Sequence, residues 1–126
     1  MKKECNDKHC PSHGSVRARG REFVGTVIES KMQKTVNVEW PRVRYVPRFE
    51  RYESLRSRVK AHNPECVNAE KGDIVRIREC RPLSKTKNFV VVEKMGKNVT
   101  FMAREELMKE AAKPVKESAP AQEESA

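Results

Sequence analysis

The sequence predicts an all-β domain, a small sandwich or barrel of five strands, carrying a polar Cys/His head and a short C-terminal helix. Three observations point there. Runs with two-residue periodicity recur between turn-forming residues, at the spacing of a small β fold. Gly25 stands in the middle of the first run, where closing a small barrel calls for a bulge or a sharp bend. The chain has 126 residues, 37% hydrophobic and 36% charged, enough for one small core beneath a heavily charged surface.

Taken in order, residues 1–20 form a head (KKECNDKHCPSHGS at its start) with no hydrophobic period. Arg21 to Glu29 reads as the first strand, Phe23, Gly25 and Val27 on one face and Val24, Thr26 and Ile28 on the other. SKMQK is a polar break, and a second strand starts at Thr35. Pro41 and Pro47 are expected to interrupt it and to place that segment at an edge or beyond the sheet proper. Ser54 to His62 is the third strand. NPECVN is a turn-rich loop, and Lys71-Gly72-Asp73 turns into Ile74 to Cys80. There Ile74 and Arg76 share a face but the run does not alternate strictly, which leaves its register open. RPLSKTKN is a loop with three cations, and Phe89 to Met95 is the most apolar strand, expected to be the most buried. The barrel is thus expected over residues 21–95. A helix is expected over 96–113, with Thr100 as its cap and Pro114 as its stop. The remainder, 114–126, has little to bury and is expected to be a disordered tail.

Charge narrows the function. Lys and Arg number 27 against 18 Asp and Glu, a net charge of +9. From Ala103 onward there are 4 basic and 6 acidic residues, so the other 102 carry 23 basic and 12 acidic, net +11. A small body so positive calls for a polyanionic partner. No apolar run approaches the length of a membrane span and no lipidation motif is present, so no membrane partner is expected and a soluble intracellular protein is the default.

The cations concentrate between Thr35 and His62. In Ser54 to His62, Leu55, Ser57, Val59 and Ala61 fall on one face and Arg56, Arg58, Lys60 and His62 on the other. Before them Arg42, Arg44, Arg48 and Arg51 interleave with Trp40, Tyr45, Phe49 and Tyr52. Cations serve phosphates and flat rings serve bases or sugars, the mixture a nucleic-acid surface needs.

Soft ligands concentrate in the head. Cys5, Cys10 and His13 are three of the four donors a tetrahedral zinc needs, with His9 as a spare. Cys66, in the exposed NPEC turn, is the first choice for the fourth, and Cys80 the weaker one. Zn2+ at Cys5, Cys10, His13 and Cys66 would explain how a head with almost nothing apolar becomes ordered. Reduced thiols or a disulfide are the alternatives.

Beyond these local readings, GTVIESKMQKTVNV, YVPRFERY, AHNPEC and GDIVRIRECRPLSKTKNFVVVE occur in this order. That combination resembles the universal small-subunit ribosomal protein S-seventeen family, in its archaeal and eukaryotic form, over about Arg21 to Glu93. The resemblance implies a five-stranded Greek-key OB-fold barrel, an extended hairpin between the second and third strands, and direct binding of small-subunit ribosomal RNA in the cytoplasm, beside neighbouring ribosomal proteins. An OB-fold binds through strands two and three and through the loops joining strands one to two and four to five. Here both loops are basic, so three cationic segments are expected to meet on one side of the barrel. The expected RNA contacts are Lys31, Lys34, Arg56, Arg58, Lys60, Arg81, Lys85 and Lys87 on phosphate, with Ser84 and Thr86 donating to phosphate or ribose. His62 is expected either to meet RNA or to hydrogen-bond within its turn. Arg42, Arg44, Arg48 and Arg51 are expected to ride the hairpin between RNA helices.

Two rivals fare worse. An enzyme would need a pocket and paired acid and base groups, which the sequence does not offer, and four protein ligands leave zinc no open position for water. No small-molecule substrate is therefore expected. A free-standing OB-fold binder of single strands would spread aromatics over its barrel face. Here they are 6% of the chain, with four of the seven at positions 40–52.

Overall fold

The computed structural model describes residues 5–113, so the expected tail 114–126 and Met1 to Glu4 of the head lie outside the described residues. Five strands and a helix follow in order: β1 Glu22–Glu29, β2 Thr35–Val46, β3 Arg51–His62, β4 Asp73–Glu79, β5 Lys87–Lys97 and α1 Val99–Ala111. The strands close into a barrel in the order β1-β2-β3-β5-β4, with β4 returning to β1. All neighbours are antiparallel except β3 and β5, whose short parallel seam pairs Ala61 with Phe89 and His62 with Val90. This is the five-stranded Greek-key OB topology. No helix among the described residues is long and apolar enough to cross a membrane.

Alternation builds the core. Val27, Val36, Val38, Ala61, Val75, Ile77 and Val91 point inward with Ala69, and Phe23, Trp40, Val67 and Phe89 pack against them. The open register of β4 resolves with Val75 and Ile77 inside and Ile74 and Arg76 half-exposed. β5 is buried on both sides at its centre. Val91 enters the barrel, while Val90 turns outward into a second small core with Val16, Cys80, Ala18 and Leu83. The strand is not buried throughout, however, since Glu93, Lys94 and Met95 are exposed.

Several local expectations need correction. The β1 irregularity falls between Val27 and Glu29, not at Gly25. Gly25 is required for another reason: a Cβ there would lie 2.7 Å from Val38 Cγ1 and 2.8 Å from the Glu39 carbonyl oxygen. Pro41 does not interrupt β2, which runs in register with β3 from Thr35 to Val46. The last β1 partner of β2 in this direction is Glu39, so Pro41 sits where one side of the strand is already an open edge. The helix cap is Asn98, whose side chain accepts from the Phe101 N–H at 3.1 Å, while Thr100 donates to that cap. The barrel accordingly extends past position 95. Helix α1 has no buried residue and leans on the β3–β4 loop, through Lys71–Glu105 at 2.5 Å. It ends at Ala111, before Pro114.

Candidate nucleic-acid interface and metal centre

The cationic face is assembled where three chain segments end. Lys60 near the end of β3 stands opposite Lys87 at the start of β5. Lys87 Nζ reaches Thr35 Oγ1 at 3.2 Å, which joins the start of β5, just after the β4–β5 loop, to the start of β2, just after the β1–β2 loop. Leu83 N–H donates to the Lys87 carbonyl and Lys87 N–H to Ser84 Oγ, closing Arg81 to Lys87 into a tight turn that leaves Arg81, Lys85 and Thr86 exposed. Lys31 is exposed beside Glu29. Lys34 adopts a left-handed φ of 51°, uncommon for a side chain of its size. Its ammonium lies 3.1 Å from Glu65, whose hydrogen bond raises the Lys34 pKa.

Alternation along β3 holds as far as Ala61. Arg56, Arg58 and Lys60 are exposed outside, and Leu55, Ser57 and Val59 are half-buried. Arg56 and Arg58 both reach Glu39 across the hairpin, at 3.5 and 2.7 Å. These are exposed pairs, worth little as stabilisers, whose guanidinium groups remain open to a phosphate.

Beyond Glu39 the hairpin is a free two-stranded ribbon, and its cations divide between two faces. Pairing places Arg42 opposite Leu55 and Arg44 opposite Glu53, continuing the face that lower down lines the barrel. The other face carries Arg56 and the Tyr45–Tyr52 pair, whose ring centroids are 5.2 Å apart. Val46 to Glu50 form the tip turn, with Arg48 over the Phe49 ring and Glu50 at a left-handed φ of 49°. Phe49 and Tyr52 are 66% and 74% exposed, so the tip carries apolar rings that nothing among the described residues covers.

His62 departs from its expected place. It is 2% exposed, and its Nε2 lies 2.6 Å from Asp7 Oδ2. Alternation still puts it outside the barrel, but the head covers that corner, over the same seam where Val90 meets Val16. His62 is therefore not presented to a partner as a stacking surface. Its hydrogen bond is structural, although it reaches the head and not its own turn. Burial pushes the His62 pKa down despite the pull of Asp7. Burial alone would raise Asp7, but hydrogen bonds from the His9 N–H and His62 outweigh it and hold the carboxyl below its ordinary value. A neutral imidazole thus donates to a carboxylate.

The four expected ligands meet. One donor atom each from Cys5, Cys10, His13 and Cys66 lies within 4.8 Å of the others. Cys10 Sγ is 3.5 Å from both His13 Nδ1 and Cys66 Sγ. A tetrahedral zinc with bonds of about 2.0–2.3 Å spaces its donors about 3.5–3.8 Å apart; the two spacings from Cys10 match it, and the rest, none beyond 4.8 Å, need close by no more than about 1 Å. Two local turns bring them together. In the head, Gly14 N–H donates to Cys10 O and Ser15 N–H to Lys8 O. A Cβ at Gly14 would run into the Lys8 carbonyl. In the other turn, Val67 and Asn68 N–H donate to Pro64 O, while the Asn63 amide both donates to and accepts from the Ala69 backbone. Crowding acts on the thiols. Burial pushes Cys66 up to about 12, helped by its hydrogen bonds to Cys10 and Cys5. A bound divalent cation would reverse that effect by favouring thiolates. Cys5 lies below its ordinary value, because the Asp7 backbone N–H donates to it. Cys80, the weaker candidate, is 8% exposed in the second core and its thiol is raised by burial, so it is a packing residue. His9 is also outside the quartet.

Sequence reasoning missed Asp7 and Val16, the residues that seat the head on the barrel. A carboxylate among the Cys and His residues of the head was a legible signal for the first.

Comparison with known proteins agrees with this architecture. A family model described as ribosomal protein S17 matches residues 25–93. The small ribosomal subunit protein uS17 of Methanocaldococcus jannaschii is 53% identical over 94 residues, covering 75% of this chain and 80% of that protein. The uS17 proteins of Methanopyrus kandleri and Archaeoglobus fulgidus are 54% and 50% identical, over 73% and 75% of this chain and 78% and 84% of their own lengths.

Proposed function

The chain belongs to the ribosomal protein S17 family, and from that premise we propose that it is a structural component of the small ribosomal subunit that binds ribosomal RNA directly and supports subunit assembly. It works in the cytoplasm, within the subunit, against ribosomal RNA and neighbouring small-subunit proteins. Its role is architectural and not enzymatic. The observation that carries the reading is the convergence of Lys34, Lys60 and Lys87 from three separated segments onto one side of the barrel. Phosphate contacts from these residues and from Arg56, Arg58, Arg81 and Lys85 supply affinity, and the fit comes from RNA shape and 2′-hydroxyl contacts. The hairpin, with arginines on both faces, suits insertion between two RNA helices. The single-strand binder finds less support, because Phe23, Trp40 and Phe89 pack against the core and the freely exposed rings gather at the hairpin tip.

Cys5, Cys10, His13 and Cys66 hold Zn2+ in this reading. Its contribution is structural, since four protein donors complete a tetrahedron and ligation couples to folding. The ion staples the head to the loop after β3. Zinc analysis of the purified protein should find one equivalent, absent from Cys66→Ser.

The function is tested by co-sedimentation with small subunits at moderate salt and by the salt dependence of RNA binding. Lys85→Ala with Lys87→Ala should weaken binding and flatten its slope by about 0.7–0.9 log units for each phosphate that is no longer neutralised. Failure of the protein to sediment stoichiometrically with small subunits would overturn the reading.

A further inference from the structure

The cationic side of the barrel has a concave feature that the barrel does not build alone. A cavity of about 510 Å³ opens between the head, the β1–β2 loop and the start of β5, lined among others by Asp7, Lys8, His9, Lys34, His62 and Lys87. We propose that this pocket binds one backbone phosphate of the ribosomal RNA, so that the head is a working part of the RNA interface and not only a stapled appendage. The inference rests on the RNA-binding reading above.

The chemistry of the lining supports a phosphate. Lys8, Lys34 and Lys87 all line the cavity; the Lys34 ammonium also pairs with Glu65 at 3.1 Å, which leaves Lys8 and Lys87 as its main cations. The single carboxylate that lines it, Asp7, is already occupied by the His9 N–H at 3.1 Å and by His62 at 2.6 Å. Because His62 Nε2 donates to that carboxylate, its Nδ1 is left as an acceptor and takes Lys87 Nζ at 3.4 Å. The ammonium of Lys87 is thus aimed by a chain that starts in the head, through Asp7 and His62, with Thr35 Oγ1 as its second anchor. An ammonium has three N–H groups, and these contacts use two. The third is free for a charge-assisted hydrogen bond to an anionic oxygen. The pocket is also continuous with the exposed face, since Lys87 pairs with Lys60. A polymer with regularly spaced phosphates would meet both, which favours a phosphodiester over a free ion.

The test compares the full-length, zinc-loaded protein with its variants in equilibrium binding to transcribed small-subunit ribosomal RNA over a range of salt. Lys8→Ala, an exposed substitution distant in sequence from every barrel strand, should weaken binding about three- to tenfold and lower the salt slope by about 0.7–0.9. On a Lys87→Ala background the same change should cost less, because both lysines serve the same phosphate. Lys109→Ala, on α1, is the control and should leave both readouts unchanged. If Lys85→Ala weakens binding while Lys8→Ala behaves as the parent protein, the RNA reading survives and the pocket assignment falls. If the parent protein does not bind the RNA, both fall.

Discussion

The root and the tip of the β2–β3 hairpin are built from the same two strands in unbroken register, yet they live in different worlds. At the root, Thr35 pairs with His62 and Val36 with Ala61, and all four are buried. At the tip, Tyr45 pairs with Tyr52 and Val46 with Arg51, and nearly every side chain is exposed. The strand pattern is alike in both. What differs is the cover: at the root the barrel encloses one face and the head covers the other, while the tip has neither. The lesson is that alternation assigns residues to faces, and packing alone decides whether a face is wet.

The sharpest way to break the contrast is to take the cover away. If the quartet holds zinc as proposed, a chelator, or Cys10→Ser, should release the head, because metal-ligand energy is folding energy for a segment with so small an apolar core. Amide exchange from Cys5 to Val16 and at His62 should rise by orders of magnitude, while the exposed tip is unchanged. His62→Ala comes next. It leaves the buried Asp7 carboxylate short of one hydrogen bond, which costs about 1–3 kcal/mol or more for a charged group, read in denaturant melts; a smaller loss accompanied by fast exchange in the head would mean that the head peels away to hydrate Asp7. Gly25→Ala attacks the root from inside the barrel. The new methyl would meet Val38 and the Glu39 carbonyl, and overpacking of this kind costs about 1–3 kcal/mol. The smallest stability effect belongs to the tip. Phe49→Ala and Tyr52→Ala should change stability by less than about 0.5 kcal/mol. If their rings stack on RNA bases, each weakens binding by about 1–3 kcal/mol with little change in salt slope. A tip variant that unfolds the protein would erase the distinction between the two ends.

Much of this was legible beforehand. The Ser54–His62 alternation rests on a local rule, the two-residue period of a strand, and it survives to Ala61. The Cys/His quartet was legible because donor types and turn residues are local too: Cys5, Cys10 and His13 lie within nine residues, and Asn63-Pro64 announces the turn that presents Cys66. Where reading failed, the cause was a neighbour distant in sequence. Gly25 looked like a bulge and proved to be a close approach to Val38 on the adjacent strand. Cys80 looked like the weaker candidate for the fourth ligand and packs against Val16 and Val90. Asn98 displaced Thr100 as the helix cap, and its side chain also donates to Thr26 Oγ1 across the fold at 2.9 Å.

By itself, then, the sequence determined the five strands, the side of Ser54–His62 on which its cations fall, the basic character of the loops and the supply of soft ligands. Each of these follows from spacing of a few residues. The tertiary structure alone decided that the hairpin's arginines split between two faces, that His62 turns from an exposed group into a buried strut, and that lysines at positions 8, 34 and 87 share one cavity. Those outcomes depend on barrel closure and on where the head docks, which bring together residues up to 79 positions apart in the chain. No periodicity along a strand can register a contact of that range.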